Sequence, residues 1–337
     1  MTISDEGDDG KPGVEDEGND GSEGKRAATG KERKKGESEK KGAGDTGDAR
    51  KGRKAPSGAQ PGGGKKGKAR QSGPTQASQA DRHVYYERAV QCAEAEIDFV
   101  VETFRTLRHR KPEVLREDFC GTANVCCEWV RRHKRHRAIG VDLDAEVLGW
   151  GEARHLATLA PGERKRVTLL QEDVLKVKTA PADCILAMNF SYWLFKARPS
   201  LRRYFKRVRR GLKDGGLFIL DAYGGLDAPR IIEEHTEHDD FTYVWDQAAY
   251  NPITGEMTCH IHFLFPDGSA LREAFTYHWR LWSLPEIRDC LAEAGFRRST
   301  VYWEGTDEET NEGNGIFSPT EEGTIDPGWI AYIVAEP

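Results

Sequence analysis

Between Glu15 and His83 the chain has no Val, Ile, Leu, Met, Phe, Tyr or Trp. Such a run has almost no apolar surface to bury, so burial cannot offset the entropy of ordering its backbone. A folded amino-terminal domain is excluded, and residues 1–80 read as a disordered, low-complexity charged tail. All seven cysteines and all eight tryptophans fall in residues 81–337. That stretch is long enough for one well-buried core.

Charge divides at the same place. Residues 1–23 carry nine acids and one base, and residues 24–80 carry sixteen bases and five acids. The chain's formal charge is −6, which leaves −9 on the foldable part. Gly62 to Arg70 (GGGKKGKAR) resembles a nucleic-acid-binding or nuclear-import patch, although low-complexity tails reach such runs by composition alone. Nucleic acid is thus a partner to consider through residues 24–80. No apolar run of ~18 residues exists for a membrane span, and the acidic start lacks the apolar core of a secretory signal. Seven cysteines without a Cys-x-x-Cys pair read as reduced, buried thiols rather than disulfides or a structural zinc. The expected location is cytoplasmic, or nuclear for a eukaryotic source, and no metal is expected.

From residue 84 the apolar residues become periodic. Val90, Ala93, Ile97, Val100, Val101, Phe104 and Leu107 recur at three- and four-residue steps, which predicts one helix over 84–111 closed by cations and Pro112. Strands are expected at 113–117, 138–142, 167–171, 183–189 and 217–222. Helices are expected between them, over 123–135, from Asp144 to near Gly162, and over 201–212. Strand and helix alternating over short connections is the pattern of a parallel sheet covered on both faces.

After residue 223 the pattern turns antiparallel, with strands at 241–250, 256–265 and 271–282. Matching the apolar face of Met257, Cys259, Ile261, Phe263 and Phe265 to that of Phe275, Tyr277, Trp279 and Leu281 pairs Phe265 with Leu271. Ser283 and Glu286 form a capping box for a helix ending at Gly295. The last strands are 301–304 and 329–335, separated by a polar loop, 305–327.

Ligands of parallel sheets bind at the carboxyl ends of the strands, and four unusual segments fall there. Glu117-Asp118-Phe119-Cys120-Gly121-Thr122-Ala123 ends the first strand. Its single glycine and leading carboxylates suit a cationic ligand rather than a pyrophosphate. Asp142, followed by Leu143, ends the second strand, where an acid accepts hydrogen bonds from ribose hydroxyls. Asp144 reads as the cap of the next helix. Glu172-Asp173-Val174 follows the third strand and offers an acid for an exocyclic amine and an aliphatic wall for a purine. Asn189-Phe190-Ser191-Tyr192-Trp193 follows the fourth. Any one of these acids is equally well a helix cap or a solvated loop residue. Together they describe a pocket for a nucleoside carrying positive charge.

Over residues 84–337 the chain resembles the class I S-adenosylmethionine-dependent methyltransferases, in particular their small-molecule members. Leu115–Ala123 looks like the first motif, with Glu117 in its acid position and Phe119 and Ala123 where glycines are usual. Gly140-Val141-Asp142 matches the ribose-binding acid, Glu172-Asp173-Val174 the adenine-binding segment, and Asp221–Gly225 ends the fifth strand. The resemblance implies an α/β fold: a Rossmann-like seven-stranded sheet with helices on both faces and an antiparallel lid, 236–282, inserted after strand five. It implies one methyltransferase domain over 81–337.

The implied cofactor is S-adenosylmethionine, held by Glu117, Phe119, Cys120, Gly121, Asp142, Leu143, Asp173, Val174 and Asn189. The implied reaction is in-line methyl transfer to a small-molecule acceptor. There the enzyme chiefly aligns the nucleophile and needs a base only for a protonated one. Asn189, Tyr192 and Tyr223 are the expected acceptor-side residues. Asn189–Tyr192 lies where amino-group methyltransferases of nucleic acids and some proteins carry Asn-Pro-Pro-Tyr, with both prolines missing here.

Other features stand beside this reading. Tyr85 and Tyr86 either close over the cofactor or pack as ordinary aromatics. His260, His262 and His278 offer a base or metal ligands, or are histidines of a polar strand face. Arg202, Arg203, Lys206, Arg207, Arg209 and Arg210 give the helix over 201–212 a basic face, either solvated or in contact with a polyanion. Two other functions stay open: a nucleic-acid or protein N-methyltransferase docked through the basic tail, and a non-catalytic S-adenosylmethionine-binding module. The missing pyrophosphate turn argues against a nicotinamide dehydrogenase.

Overall fold

The computed structural model describes residues 73–307, 309 and 313–337. Residues 1–72, which hold most of the charged tail and its basic run, lie outside the described residues. In chain order the elements are α1 (Gln76–Gln79), α2 (Arg82–Val90), α3 (Ala93–Arg108), β1 (Val114–Asp118), α4 (Asn124–Arg132), β2 (Arg137–Asp142), α5 (Ala145–Arg154), α6 (Pro161–Arg164), β3 (Val167–Gln171) and β4 (Ala182–Ala187). Then follow α7 (Arg198–Gly211), β5 (Leu212–Gly224), β6 (Ile232–Glu237), β7 (Thr242–Tyr250), β8 (Glu256–Leu264), β9 (Ala270–Arg280), α8 (Leu284–Ala294), β10 (Arg298–Thr306), β11 (Gly313–Thr320) and β12 (Trp329–Glu336).

One sheet has the order β11-β10-β12-β5-β4-β1-β2-β3. Strands β1 to β5 run parallel, and β12 and β10 return antiparallel. Strand order reverses between β1 and β4, which opens a ligand crevice at their carboxyl ends. The seven expected strands are present, and β11 adds an eighth from the expected loop 305–327. Most of β11 is exposed, so no alternation of buried residues could announce it.

β4, buried at all six positions, has the apolar character of a strand covered on both faces. On one face Phe218 and Leu220 of β5 meet Leu201, Phe205 and Val208 of α7 and Ile287 and Leu291 of α8. On the other, Leu217 and Ile219 meet Ile97, Val100 and Phe104 of α3 and Val130 of α4. β5 begins at Leu212, not Leu217. Lys213–Gly216, expected as a turn, enters the strand through a register shift beside β4, with Gly215 at φ +70°.

The single helix expected over 84–111 is two. Gln91 and Cys92 leave helical geometry because the flanking segments serve different surfaces. α3 lies on the main sheet, whereas α2 gives Tyr85, Tyr86 and Val90 to the second sheet. A straight rod cannot reach both.

The second sheet, β6-β7-β8-β9, is the antiparallel lid. It begins at Ile232 rather than 236. Met257 pairs with Trp279 and Cys259 with Tyr277, the register expected from their apolar faces. Towards the hairpin the register shifts, and Phe263 rather than Phe265 faces Leu271. The cause is a bulge in β9: Glu273 takes φ +48° and donates its N–H to His262 Nδ1 at 2.7 Å. The folded part also reaches back before residue 81. Gln76 N–H donates to Asp267 Oδ2 at 2.8 Å and Ala77 N–H to Ser269 Oγ at 3.0 Å, seating α1 on the hairpin turn. Among the described residues no helix is long and apolar enough to cross a membrane. All seven cysteines are free thiols, six of them buried.

Candidate active site

β1 delivers its loop at the reversal of strand order. Phe119, Gly121 and Ala123 take left-handed φ of +59°, +52° and +58°. At the two non-glycine positions this costs about 1–2 kcal/mol each. These three positions are where the resembling motif has glycines, so the loop path survives the substitutions. Neighbouring glycines hold it in place. A Cβ on Gly151 of α5 would lie 2.2 Å from the Thr122 carbonyl oxygen, and one on Gly140 would lie 2.8 Å from Cys120 Sγ. Cys120 N–H donates to Val141 O at 3.0 Å, tying the loop to β2.

Asp142 joins the first two strand ends. One carboxylate oxygen accepts from Gly121 N–H at 2.8 Å and the other from Asp144 N–H at 2.9 Å. Leu143 beside it is 66% exposed, a large apolar side chain facing open space. Asp144 caps α5, as expected. Asp173 is half-buried: Oδ1 accepts from Leu175 N–H at 2.8 Å and Oδ2 lies 3.5 Å from Lys176 Nζ. Val174 is buried in the core beneath.

Two carboxyls near the crevice are buried with no ion-pair partner among the described residues. Glu117 accepts from the Cys126 thiol at 3.1 Å, and burial pushes its carboxyl up to about 8 against that hydrogen bond. Asp221, at the end of β5, accepts from Phe190 N–H at 2.9 Å and Asn189 N–H at 2.7 Å. Burial pushes it up to about 7 against those donors. Glu96 of α3 is a third buried acid in this region. Asp118, one residue from Glu117, faces the other way and is fully matched. Arg116 holds both of its oxygens, at 2.7 and 3.1 Å, and the Tyr204 hydroxyl donates at 3.0 Å. Buried carboxyls that lack a cation favour a cationic ligand over an anionic one.

The expected acceptor-side residues divide. Tyr192 has no exposed surface and donates its hydroxyl to the Asp221 carbonyl at 2.7 Å, which removes it from any acceptor. Left-handed Asn189 and Phe190 (φ +56° and +57°) start a tight turn that carries Tyr192 into the core beside Phe205. The expectation that Tyr192 borders the acceptor beside Asn189 is therefore corrected; Asn189, half-buried, contributes its backbone to Asp221. Tyr223 does face the lid. Its ring lies 4.8 Å from Phe190 and 4.9 Å from Trp193, and its hydroxyl is 3.4 Å from Gln247 Oε1. Trp245 and Tyr277 of the lid continue this aromatic wall.

α2, which packs on the lid through Tyr85, Tyr86 and Val90, is tied to the first loop by Glu87, which the sequence did not single out. Its Oε1 accepts from Thr122 Oγ1 at 2.5 Å and lies 2.6 Å from His155 Nε2. Tyr86 packs against Phe275 of β9, their rings 4.9 Å apart, whereas Tyr85 packs among Phe241, Phe263 and Phe265. The lid histidines do not converge. His260 meets Thr276, His278 meets Thr258, and buried His262 sits between Asp246 and the Glu273 N–H. Part of the basic face of α7 is spoken for: Arg202 pairs with Glu293, and Arg207 donates to the carbonyls of Lys176 and Val177.

Residues 118–216 match the family model of a methyltransferase domain. No curated protein sequence matches the chain. Among solved structures, an S-adenosylmethionine-dependent methyltransferase from Clostridium acetobutylicum ATCC 824 is 19% identical, with a TM-score of 0.55 over 75% of this chain and 96% of its own. An amino pentose methyltransferase from Micromonospora echinaspora, solved with S-adenosylmethionine bound, is 15% identical, with a TM-score of 0.52 over 74% of this chain and 95% of its own. A sugar N-methyltransferase from Streptoalloteichus sp ATCC 53650 is 17% identical, with a TM-score of 0.52 over 82% of this chain and 99% of its own. The chain has the class I methyltransferase fold.

Proposed function

We propose that the chain transfers a methyl group from S-adenosylmethionine to a small-molecule acceptor held between the strand-end loops and the lid. What carries this reading is the set of buried acids at the reversal of strand order. Glu117 and Asp221 lack cations, beside a loop pinned open by Asp142. When bound, the cofactor supplies a methyl already activated by its sulfonium. Asp142 keeps lone pairs for ribose hydroxyls while its two backbone hydrogen bonds hold the carboxylate in place. Leu143 provides an apolar wall, and Asp173 an acid at the edge of the same crevice. Glu117 contributes a carboxyl that ionises more readily against a positive ligand.

On the acceptor side, Phe190, Tyr223, Trp245 and Tyr277 exclude water and present ring faces. Those faces suit a compact, ring-containing molecule, and an amino pentose and a sugar are the acceptors named for two of the similar structures. Holding that molecule in line with the transferred methyl is the main catalytic contribution left to the chain.

Labelled methyl transfer into fractionated cell extract tests the acceptor class. Label is expected in the low-molecular-mass fraction and is expected to fall about ten- to a hundredfold with Asp142→Ala at subsaturating cofactor. Label confined to protein or nucleic acid would overturn the small-molecule reading.

A further inference from the structure

The amino ends of the parallel strands form a second charged surface, at the edge of the sheet opposite the crevice. Val114 pairs with Arg137, Ala138 with Val167, Leu115 with Cys184, and Cys184 with Leu217. The segments leading into β1, β2, β3, β4 and β5 are thereby brought side by side. They are rich in cations. Lys111 precedes β1, Lys134 and Arg137 lead into β2, Arg164 and Lys165 precede β3, and Arg210 closes α7 just before β5. All six are exposed.

None of the six has an ion pair among the described residues. Two of the acids at this edge are already committed, Asp183 to Arg110 and Lys213 and Glu113 to Arg135; exposed Asp214 and Glu102 have no ion pair among the described residues, and the cations outnumber them. Next to Lys111 lies an open hollow of about 610 Å³, lined also by Glu102, Arg105, Thr106, His109 and Arg110, with cations in the majority. Four strand spacings from β5 to β3 cover about 19 Å, a length over which duplex nucleic acid presents roughly eleven phosphate charges.

The exposed large apolar side chains of the described residues all lie elsewhere. A membrane-binding face buries such side chains among the acyl chains, and a protein interface has an apolar centre. A phosphate backbone requires only cations and donors. We propose that this face docks the phosphate backbone of a nucleic acid without reading its sequence. β1 runs five residues between this edge and the crevice, about 17 Å at 3.3 Å each. The docked strand therefore anchors the protein and is not itself presented for methylation.

The test uses the full chain and a labelled single-stranded RNA of about 20 nucleotides, followed by fluorescence anisotropy between about 50 and 200 mM salt. The quadruple variant K134E/R137E/R164E/K165E is expected to bind at least about tenfold more weakly at low salt, with a log–log salt slope shallower by about 3. A charge-reversal pair on the lid side, R230E/R272E, is expected to leave both values unchanged, and thermal melts to show both variants folded. Unaltered affinity and slope in the quadruple variant would place binding in the basic tail and overturn the proposal. Equal losses in both variants would also overturn it, as would binding to phosphatidylserine vesicles without binding to RNA.

Discussion

The parallel strands carry charge at both ends, and the two ends follow different rules. At the carboxyl ends Glu117 and Asp221 are 6% and 5% exposed, the backbone is left-handed at Phe119, Ala123, Asn189 and Phe190, and each charge is specified individually. At the amino ends the charges are mostly cationic and exposed, and the backbone is ordinary apart from His109 and Gly215. A buried charge needs a partner or a proton, so its position constrains the ligand. Exposed charges are individually weak and act through their sum. The same sheet can thus hold a specific crevice at one edge and a nonspecific field at the other.

The sharpest way to break this contrast is to remove one partner of a buried pair. Asp118→Ala leaves Arg116 charged and enclosed, and should destabilise the fold by about 3–5 kcal/mol in urea unfolding. Asp142→Ala removes the acceptor that joins the first two strand ends. It should weaken S-adenosylmethionine binding by about ten- to a hundredfold, the worth of one hydrogen bond to a charged group, measured by calorimetry.

The third effect is one of pH. Unfolded Glu and Asp ionise near 4, whereas folded Glu117 and Asp221 are held up to about 8 and about 7. Between those limits the folded state binds more protons than the unfolded one, so stability falls as pH rises. Melting temperature should decline from pH 5 to 9, and Glu117→Gln should flatten the decline. A profile that rises over that range would contradict the burial of these acids. The smallest effect is expected at the opposite edge, where Arg135→Ala breaks an exposed pair with Glu113 and should change stability by less than about 0.5 kcal/mol.

The alternation of β1 to β5 with their helices was legible because fully buried strands and amphipathic helices carry different periods. The positions of Glu117, Gly121, Asp142 and Asp173 followed from that. Elements that bury little were not legible: β6 and β11 lie at sheet edges and lack an apolar face. Nor was the break between α2 and α3, because both halves keep a helical period and only their targets differ. Tyr192 was misplaced because a left-handed residue reverses which side of the following turn faces inward. Glu96 did leave a trace, since it shares the buried stripe of Ala93, Ile97, Val100 and Phe104 with Thr103. Asp221 was placed at the end of the fifth strand but given no role, although the rule that singled out Asp142 applies to it equally. Glu87 left none, because it is a surface helix position until Thr122 of the first loop and His155 close around it.

The central claim is that the carboxyl-end crevice is built for a cationic nucleoside and not for a pyrophosphate. Titration calorimetry of the full chain with S-adenosylmethionine, and in parallel with a nicotinamide dinucleotide, tests it most directly. Saturable one-to-one binding of S-adenosylmethionine with no heat from the dinucleotide is the expected result. Binding of the dinucleotide, or of neither, would contradict it.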